Sequence, residues 1–502
     1  MESGPESRGR VKEIAVNRSQ TRWAAFDLES LIEQNHPARM IWNLSGRFDL
    51  SRFEEQAKTR EGEAGRPCWP ARLLVSIWVY SYTMGIGSAR AIERLLCQEP
   101  GLRWLSADQE INHHTLADFR VAHGEALQHV FAQFLTLLET VGLVDLKTLL
   151  QDGTKVRAVA GRGSLHRRKT LEQGMRRAQQ VVKKMEAQPE SEGGPQGGAI
   201  EERRQAAQKR AAREALERAE AALAKLKKLE QEAAPSKREG LRVSESEPEA
   251  RNMKQPDGGW GPSYNVQVTT EARSRMIVAV QVTTAANDTQ QLIPALEKVK
   301  QNCGRLPEKI IADNGYATRD NVEKTSERGV EMIAPWKQGE SREAGACKLN
   351  HIQREFAPSA FRVQRGGKKL LCPAGKTLVV IEHKVHHGLP CQVFEARAVD
   401  CRRCRYRREC CGRRSGPRRI TRVVESEAMK QYLKRMKQPA TKELYARRSE
   451  IAEFPHLWIK AVKRWRRFSV RGAVKAGIEA LWVALAYNIA QWIRLRPAEA
   501  LR

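Results

Sequence analysis

Lys309-Ile-Ile-Ala-Asp-Asn-Gly-Tyr316 is a short β-branched run that ends on an acid and then on a turn residue. Such a pattern reads as a buried strand, too short for a helix, whose carboxylate opens into a turn. Thr148-Leu-Leu-Gln-Asp-Gly-Thr-Lys155 repeats the arrangement far upstream, with Asp152 closing the apolar run. Between the two lie an apolar pair of segments, Tyr264 to Thr269 and Met276 to Val282, split by Glu271 to Arg275 and read as a hairpin, and a helix from Leu292 to Val299. Val330 to Ile333 supplies one more strand. Strand, hairpin, helix, strand, helix, strand is the order of a mixed-sheet α/β core.

That core is interrupted. From Leu165 to about Ala233 the chain is charged and Ala-rich, with Leu171, Met175, Ala178, Val182 and Met185 before a Gly/Pro stretch at 192–198. Leu216, Ala219, Leu223 and Leu226 follow at heptad spacing. Two antiparallel helices fit this pattern best. Before residue 150 the apolar spacing is helical: Leu73 to Tyr82, a short helix capped by Ser88 and ended by Pro100-Gly101, another capped by Thr115, and a run from Leu127 to Leu149. This suits a helix-turn-helix-like unit or an architectural bundle equally well.

Over 502 residues, 88 Lys plus Arg face 59 Asp plus Glu, a formal net charge of +29. The excess is spread along the whole chain, which favours nucleic acid over a membrane surface as the polyanionic partner. The first twenty residues hold no apolar leader core, and Leu73–Gly87 and Ala480–Ile493 fall short of the ~20 apolar residues of a spanning helix. Both are expected to be core helices, and the protein to be cytoplasmic.

Cleavage of a phosphodiester by two hard cations needs carboxylates converging from separate elements. Asp152 and Asp313 are two candidates, and the third must come from Tyr445-Ala-Arg-Arg-Ser-Glu-Ile-Ala-Glu-Phe-Pro-His-Leu-Trp-Ile-Lys460. This segment resembles the signature of DDE transposases of bacterial insertion sequences, with Tyr445, Arg448, Glu453 and Lys460 at the signature positions. Gly65-Arg-Pro, Gly85-Ile-Gly-Ser88, Asn112-His-His-Thr115 and Phe119-Arg120 resemble that family's N-terminal domain, and Tyr264-Asn-Val-Gln267 one of its core strands. The chain departs from the family at Asn314 and in lacking Phe-Gly after Glu453.

The resemblance implies a ribonuclease H-like core in which Asp152, Asp313 and Glu453 hold two Mg²⁺ or Mn²⁺ ions, while Tyr445, Arg448 and Lys460 grip phosphates of the transposon ends. It implies strand cleavage at terminal inverted repeats and transfer into target DNA by at least a homodimer. Glu450 and, more weakly, Glu479 are the rivals to Glu453. A non-catalytic DNA-binding regulator and a nuclease without joining activity are the rival functions.

Ten cysteines are present, four of them in Cys401-x₂-Cys404-x₅-Cys410-Cys411. With Cys372 upstream they predict a structural zinc site of Cys372, Cys401, Cys404 and Cys410, with Cys391 or Cys411 as substitutes, against reduced unliganded thiols. Ten Arg and a single acid, Glu409, lie between Cys401 and Arg422, so Arg402, Arg403 and Arg405 are expected on duplex phosphates. A second basic run from Lys460 to Arg471 offers Lys463 and Arg464, with Trp465 and Phe468 expected to pack more than to stack. The expected organisation is an α-helical DNA-binding domain at 1–145, core segments at 146–164 and 256–338, the helical hairpin at 165–255, a basic zinc-ribbon-like insertion at 339–440, and core helices at 441–502.

Overall fold

The computed structural model describes residues 27–55, 67–187, 198–255, 258–336, 340–364, 366–386, 388–413 and 415–495. The first 26 residues, Gly65 and the Gly/Pro stretch at 192–197 lie outside them.

The N-terminal region is helical: α1 (Pro37–Ser45), α2 (Ala71–Thr83), α3 (Ala89–Leu95), α4 (Pro100–Ser106), α5 (His113–Ala122) and α6 (Gly124–Thr140). Ser88 caps α3 as its position suggests, its hydroxyl accepting from the Ala91 N–H. Pro100 does more than end α3. It stands in the first turn of α4, where a missing N–H costs nothing, behind a Glu99 cap that accepts from the Leu102 N–H. Asn112, not Thr115, caps α5.

The second region is built on a mixed six-stranded sheet. Its strands are β1 (Thr148–Arg157), β2 (Arg251–Lys254), β3 (Trp260–Glu271), β4 (Ile277–Thr283), β5 (Lys309–Ala312) and β6 (Glu331–Ile333). The order is β2-β3-β1-β5-β6, with β4 paired to β3 beside β2. β1 runs antiparallel to β3 and parallel to β5. Helices α7 (Arg168–Glu186) and α8 (Gly198–Glu232) leave the sheet after β1 and lie antiparallel, as the ion pairs Arg168–Glu230 and Arg213–Glu186 at opposite ends require. Leu171, Ala222, Leu226 and Leu229 are buried in their seam, near the root of the pair.

Helices α9 (Leu292–Cys303) and α10 (Arg319–Glu327) follow β4 and β5. A separate antiparallel sheet then intervenes, in the order β11-β10-β9-β8-β7: β7 (Arg362–Val363), β8 (Lys369–Leu371), β9 (Thr377–His386), β10 (Leu389–Ala396) and β11 (Arg419–Val423). It has its own core of Phe356, Phe361, Leu370, Leu378, Phe394 and Ile420. Its two stems are tied to the first sheet's surroundings, by the bidentate Arg319–Glu425 ion pair and by Tyr432, whose hydroxyl donates to the Ala334 carbonyl.

The chain closes with α11 (Glu427–Arg435), α12 (Pro439–Ala446), α13 (Arg448–Leu457) and α14 (Ala473–Leu495). α14 has 23 residues, more than the apolar run predicts, and is long and apolar enough to cross a membrane. It is nonetheless core, with buried Leu481, Trp482, Leu485 and Ile489 against α2, α6 and β4. Asn488, the polar break in this run, has a structural reason. Its side-chain amide donates to the carbonyl of Ile277 and accepts from the same residue's N–H, satisfying the open edge of β4. Gln491 and Tyr487 hold the adjoining turn through the Ser274 and Arg275 carbonyls.

Candidate active site

Asp152 does not stand at a strand end. β1 continues through it to Arg157, and Gly153, read from sequence as a turn residue, pairs with Gln267 of β3. What stops at this point is the neighbour: the parallel pairing with β5 ends at Gln151↔Ala312, leaving Asp152 and Asp313 as the next positions on two adjacent strands. Asp313 does open a turn, and its Oδ1 accepts the Gly315 N–H at 2.7 Å.

The sheet has two different faces here. Leu150, Asp152 and Thr154 face α13, where Ile451 and Ala452 bury against Leu150, Ile311 and Ile333. Gln151 and Gly153 face the other way, into a buried polar network. Gln267 links it, accepting from the Gln151 amide at 2.8 Å and the Tyr316 hydroxyl at 2.5 Å and donating to Asp288 Oδ1 at 2.7 Å. Asn265 also donates to Asp288 Oδ1, and Lys155 Nζ lies 3.7 Å from it. Only glycine fits at 153, since a Cβ there would stand 2.5 Å from Gln267 Nε2 and 2.7 Å from Asp288 Oδ1.

Helix α13 presents Arg448, Ala452 and His456 to β1, four residues apart and therefore on one face. Arg448 Nη2 donates to Asp152 Oδ1 at 3.0 Å, and His456 Nε2 lies 3.4 Å from Asp152 Oδ2. Burial disfavours the charged form of Asp152, but His456, Arg448 and the Gly153 N–H outweigh it and hold the carboxyl below its usual range. Asp313 shifts the other way. Burial raises it, with the negative charges of Asp152 and Asp288 adding, against the Gly315 N–H and Arg448. Two adjacent carboxylates pushed in opposite directions, where the pairing of the two central strands ends, mark a candidate functional site.

Glu453 lies one residue beyond Ala452, turned about 100° away, and is exposed. Glu450 pairs with Arg275 at 2.7 Å on the outside of α13. Glu479 is buried on α14, where it accepts from Trp465 Nε1 and the Ser469 N–H. Lys460 is tucked against β1, donating to Thr154 Oγ1 and to the Lys155 carbonyl, and burial lowers it to about 8. Tyr445 is half-buried beside the cluster around Leu150, its hydroxyl pushed up by burial. Lys463 covers the Trp458 ring at 5.0 Å, and Arg464 is exposed.

His456 and Asp288 are the residues that sequence reasoning missed. His456 was findable, because it lies eight residues after Arg448 on the same helical face. Asp288 carries no such signal. The donor set of Asp152 and Asp313 is all oxygen, as hard divalent cations prefer, and among the described residues only Oδ1 of Asp313 accepts a hydrogen bond, from the Gly315 N–H. Among the described residues, no three His, Cys, Asp or Glu side chains are gathered as a metal-holding group. The two aspartates therefore fit part of such a site, and Glu453 stands outside it in this conformation.

In the second sheet, Cys372, Cys401, Cys404, Cys410 and Cys411 line one cavity of about 30 Å³. The Lys376 N–H points at Cys372 Sγ at 3.1 Å and the Arg418 N–H at Cys401 Sγ at 3.5 Å. Cys391 is on β10 with its thiol on the Leu389 carbonyl and does not line this cavity. Arg402, Arg403 and Arg405 are exposed beside it. Trp465 and Phe468 pack edge to face, 4.9 Å apart.

Residues 26–122 match the family model described as a transposase domain (DUF772), and residues 371–493 match the one described as a transposase DDE domain. The second match spans α13 with Glu453, while β1 and β5 with their aspartates lie outside both. No curated protein and no solved structure matches the chain. Two separate transposase matches, one in the helical N-terminal region and one in the C-terminal part, identify the chain as consistent with a DDE-type transposase of an insertion sequence.

Proposed function

We propose that the protein is a DNA transposase that cuts at the terminal inverted repeats of its element and joins those ends to target double-stranded DNA. The observation that carries this reading is the pair Asp152 and Asp313, side by side on parallel strands beneath α13. Asp152, Asp313 and Glu453 would hold two Mg²⁺ or Mn²⁺ ions, which supply a Lewis acid for the phosphate and lower the pKa of the attacking hydroxyl or water. The residues themselves orient and neutralise. Arg448 pairs with Asp152 in this structure, and on this reading its guanidinium would pass to a DNA phosphate and Glu453, now exposed, would have to turn inward to join the two aspartates. Tyr445 and Lys460 flank the same groove.

The reading includes a ribonuclease H-like core at 146–164 and 256–338 with its last helices at 441–502, a DNA-binding region at 1–145, a helical-hairpin insertion at 165–255 and a basic Cys-rich insertion at 339–440. Zn²⁺ held by four of the cavity's thiolates, Cys372, Cys401, Cys404 and Cys410, would brace the insertion, with Arg402, Arg403 and Arg405 on phosphates. Holding two ends requires at least a homodimer, at work in the cytoplasm. One observation favours a second reading, a DNA-binding protein without cleavage: both Asp152 oxygens face side chains of the chain itself, Arg448 and His456, and Glu453 is turned out.

Incubation of the purified protein with linear duplex carrying the terminal repeats and Mg²⁺ separates the two. Cleavage followed by strand-transfer products, both lost in Asp313→Asn, is the expected result; equal cutting by the two proteins would remove Asp313 from the site, and no cutting by either would favour the regulator.

A further inference from the structure

The loop from Lys463 to Gly472, between α13 and α14, is held from two sides. On one side it extends the catalytic strand. The Arg157 N–H donates to the Arg466 carbonyl and the Phe468 N–H to the Arg157 carbonyl, so residues 466–468 continue alongside β1 beyond its last sheet neighbour. On the other side the N-terminal helices grip it through a buried charged network. Arg120 of α5, only 6% exposed, donates from Nη1 to Ser469 Oγ at 2.7 Å, to the Gly87 carbonyl at 2.6 Å and to the Tyr82 hydroxyl at 3.3 Å. Its guanidinium lies 4.7 Å over the Trp78 ring. Glu479 of α14, 1% exposed, answers from below, accepting from the Ser469 N–H at 2.9 Å, the Ser469 hydroxyl at 3.0 Å and Trp465 Nε1 at 3.0 Å.

Backbone packing reinforces the joint. Gly85 has φ +82° and its Cα is so close to the loop that a Cβ would meet the Lys463 carbonyl at 2.7 Å. Gly87 is less tightly enclosed, a Cβ there meeting Tyr82 at 3.3 Å, Glu479 at 3.8 Å and Ser469 at 4.0 Å. A charged pair taken this far out of water is costly to maintain and is kept where it fixes geometry. What it fixes is a basic edge. Arg464, Arg466, Arg467 and Arg471 are exposed along the loop, and among the described residues no acid pairs with Arg464, Arg467 or Arg471.

We infer that the Arg120–Ser469–Glu479 network is a positioning joint through which the N-terminal helices hold the 463–472 loop in line with β1, making the loop's arginines a track for the phosphate backbone of duplex DNA. This rests on the reading of the protein as one that acts on DNA. The joint assigns the N-terminal region a second task besides any DNA contact of its own: it sets where the duplex lies relative to Asp152.

Salt dependence of binding tests it, because each cation seated on a phosphate contributes about 0.9 to the slope of log affinity against log salt. With a mixed-sequence linear duplex as probe, the triple variant Arg464→Ala/Arg466→Ala/Arg467→Ala is expected to lower the slope by about 3. Glu479→Gln is expected to lower it in the same direction with the three arginines intact, and the two changes combined to give no more than the triple alone. Ser469→Ala, which removes the hydroxyl link without stranding a buried charge, repeats the measurement if Glu479→Gln does not fold. A wild-type slope in folded Glu479→Gln or Ser469→Ala, or full additivity with the arginine changes, would overturn the joint. Failure of the wild-type protein to bind duplex in a salt-dependent way would overturn the DNA reading itself.

Discussion

Gly153→Ala puts the least possible atom into the candidate site, on the face of β1 away from Asp152. The added Cβ would meet Gln267 Nε2 at 2.5 Å, Asp288 Oδ1 at 2.7 Å and Asn265 Oδ1 at 3.2 Å. Gln267 cannot simply swing aside, because it is 2% exposed and joined to Gln151, Tyr316 and Asp288. Relief must come from breaking one of those bonds, or from moving β1 away from β3. Overpacking of a filled site costs roughly 1–3 kcal/mol, and loss of one hydrogen bond to a carboxylate falls in a similar range. Alanine also removes chain entropy from the unfolded state, which offsets about 0.4–1 kcal/mol. A net loss of about 1–2 kcal/mol follows, together with displacement of Asp152 relative to Asp313 and reduced DNA cleavage. Gly161→Ala is the control. It has ordinary extended backbone at φ −86° and no atom within 4 Å of the new Cβ, so it should be neutral or slightly stabilising. Urea unfolding followed by tryptophan fluorescence, run beside a cleavage assay, reads both. Equal stability and equal cutting in the two variants would refute the packing argument.

Asp313 and Asp152 should respond oppositely to neutralisation. The folded pKa of Asp313 is raised, so its ionisation costs stability as pH rises through that value; Asp313→Asn should raise the melting temperature at neutral pH, with the gain vanishing below about pH 4, while cleavage is lost. The folded pKa of Asp152 is depressed, so its stabilisation is present above the ordinary carboxylate range and lost on acidification; Asp152→Asn should lower the melting temperature at neutral pH by leaving Arg448 and His456 without their carboxylate. Parallel thermal melts from pH 3 to 8 check both signs. On α13, Glu450→Ala removes an exposed pair with Arg275 and should change stability by less than about 1 kcal/mol and leave cleavage intact, whereas Glu453→Gln should abolish cleavage with unchanged stability. The reverse pattern in a strand-cleavage assay would move the third carboxylate to Glu450.

The strands around the site were readable where the chain's local chemistry is one-sided. Ile310 and Ile311 are β-branched and buried on both faces, and the segments of the 260–283 hairpin flank an obvious turn, so their positions follow from period and composition alone. Asp152 was misplaced at a strand end because Asp-Gly is a turn signal, yet here glycine serves close packing against Gln267 and Asp288 inside a continuing ladder. No local rule announces that Gln151, Asn265, Gln267 and Tyr316 form one buried polar layer, since each is satisfied by a partner distant in sequence. Asn488 likewise has a partner distant in sequence: it interrupts an apolar helix to complete the edge of β4. On α13, spacing relative to Lys460 singles out Glu453, whereas the side chains that reach β1 in this conformation are Arg448 and His456.

The tied stems of the second sheet separate the chain's length from its geometry. Ala334 and Tyr432, 98 residues apart, are bonded directly, and Arg319 clasps Glu425 beside them. Once the ends of an excursion are pinned, doubling its contour adds only about 0.6 kcal/mol of closure entropy. The sequence between the stems is therefore free to lengthen, shrink or change its recognition surface while α13 stays seated over β1. In evolutionary terms the six-stranded sheet with α13 and the Cys-rich sheet can drift on separate clocks, and a transplant of one onto another framework would need to preserve little more than the clasp.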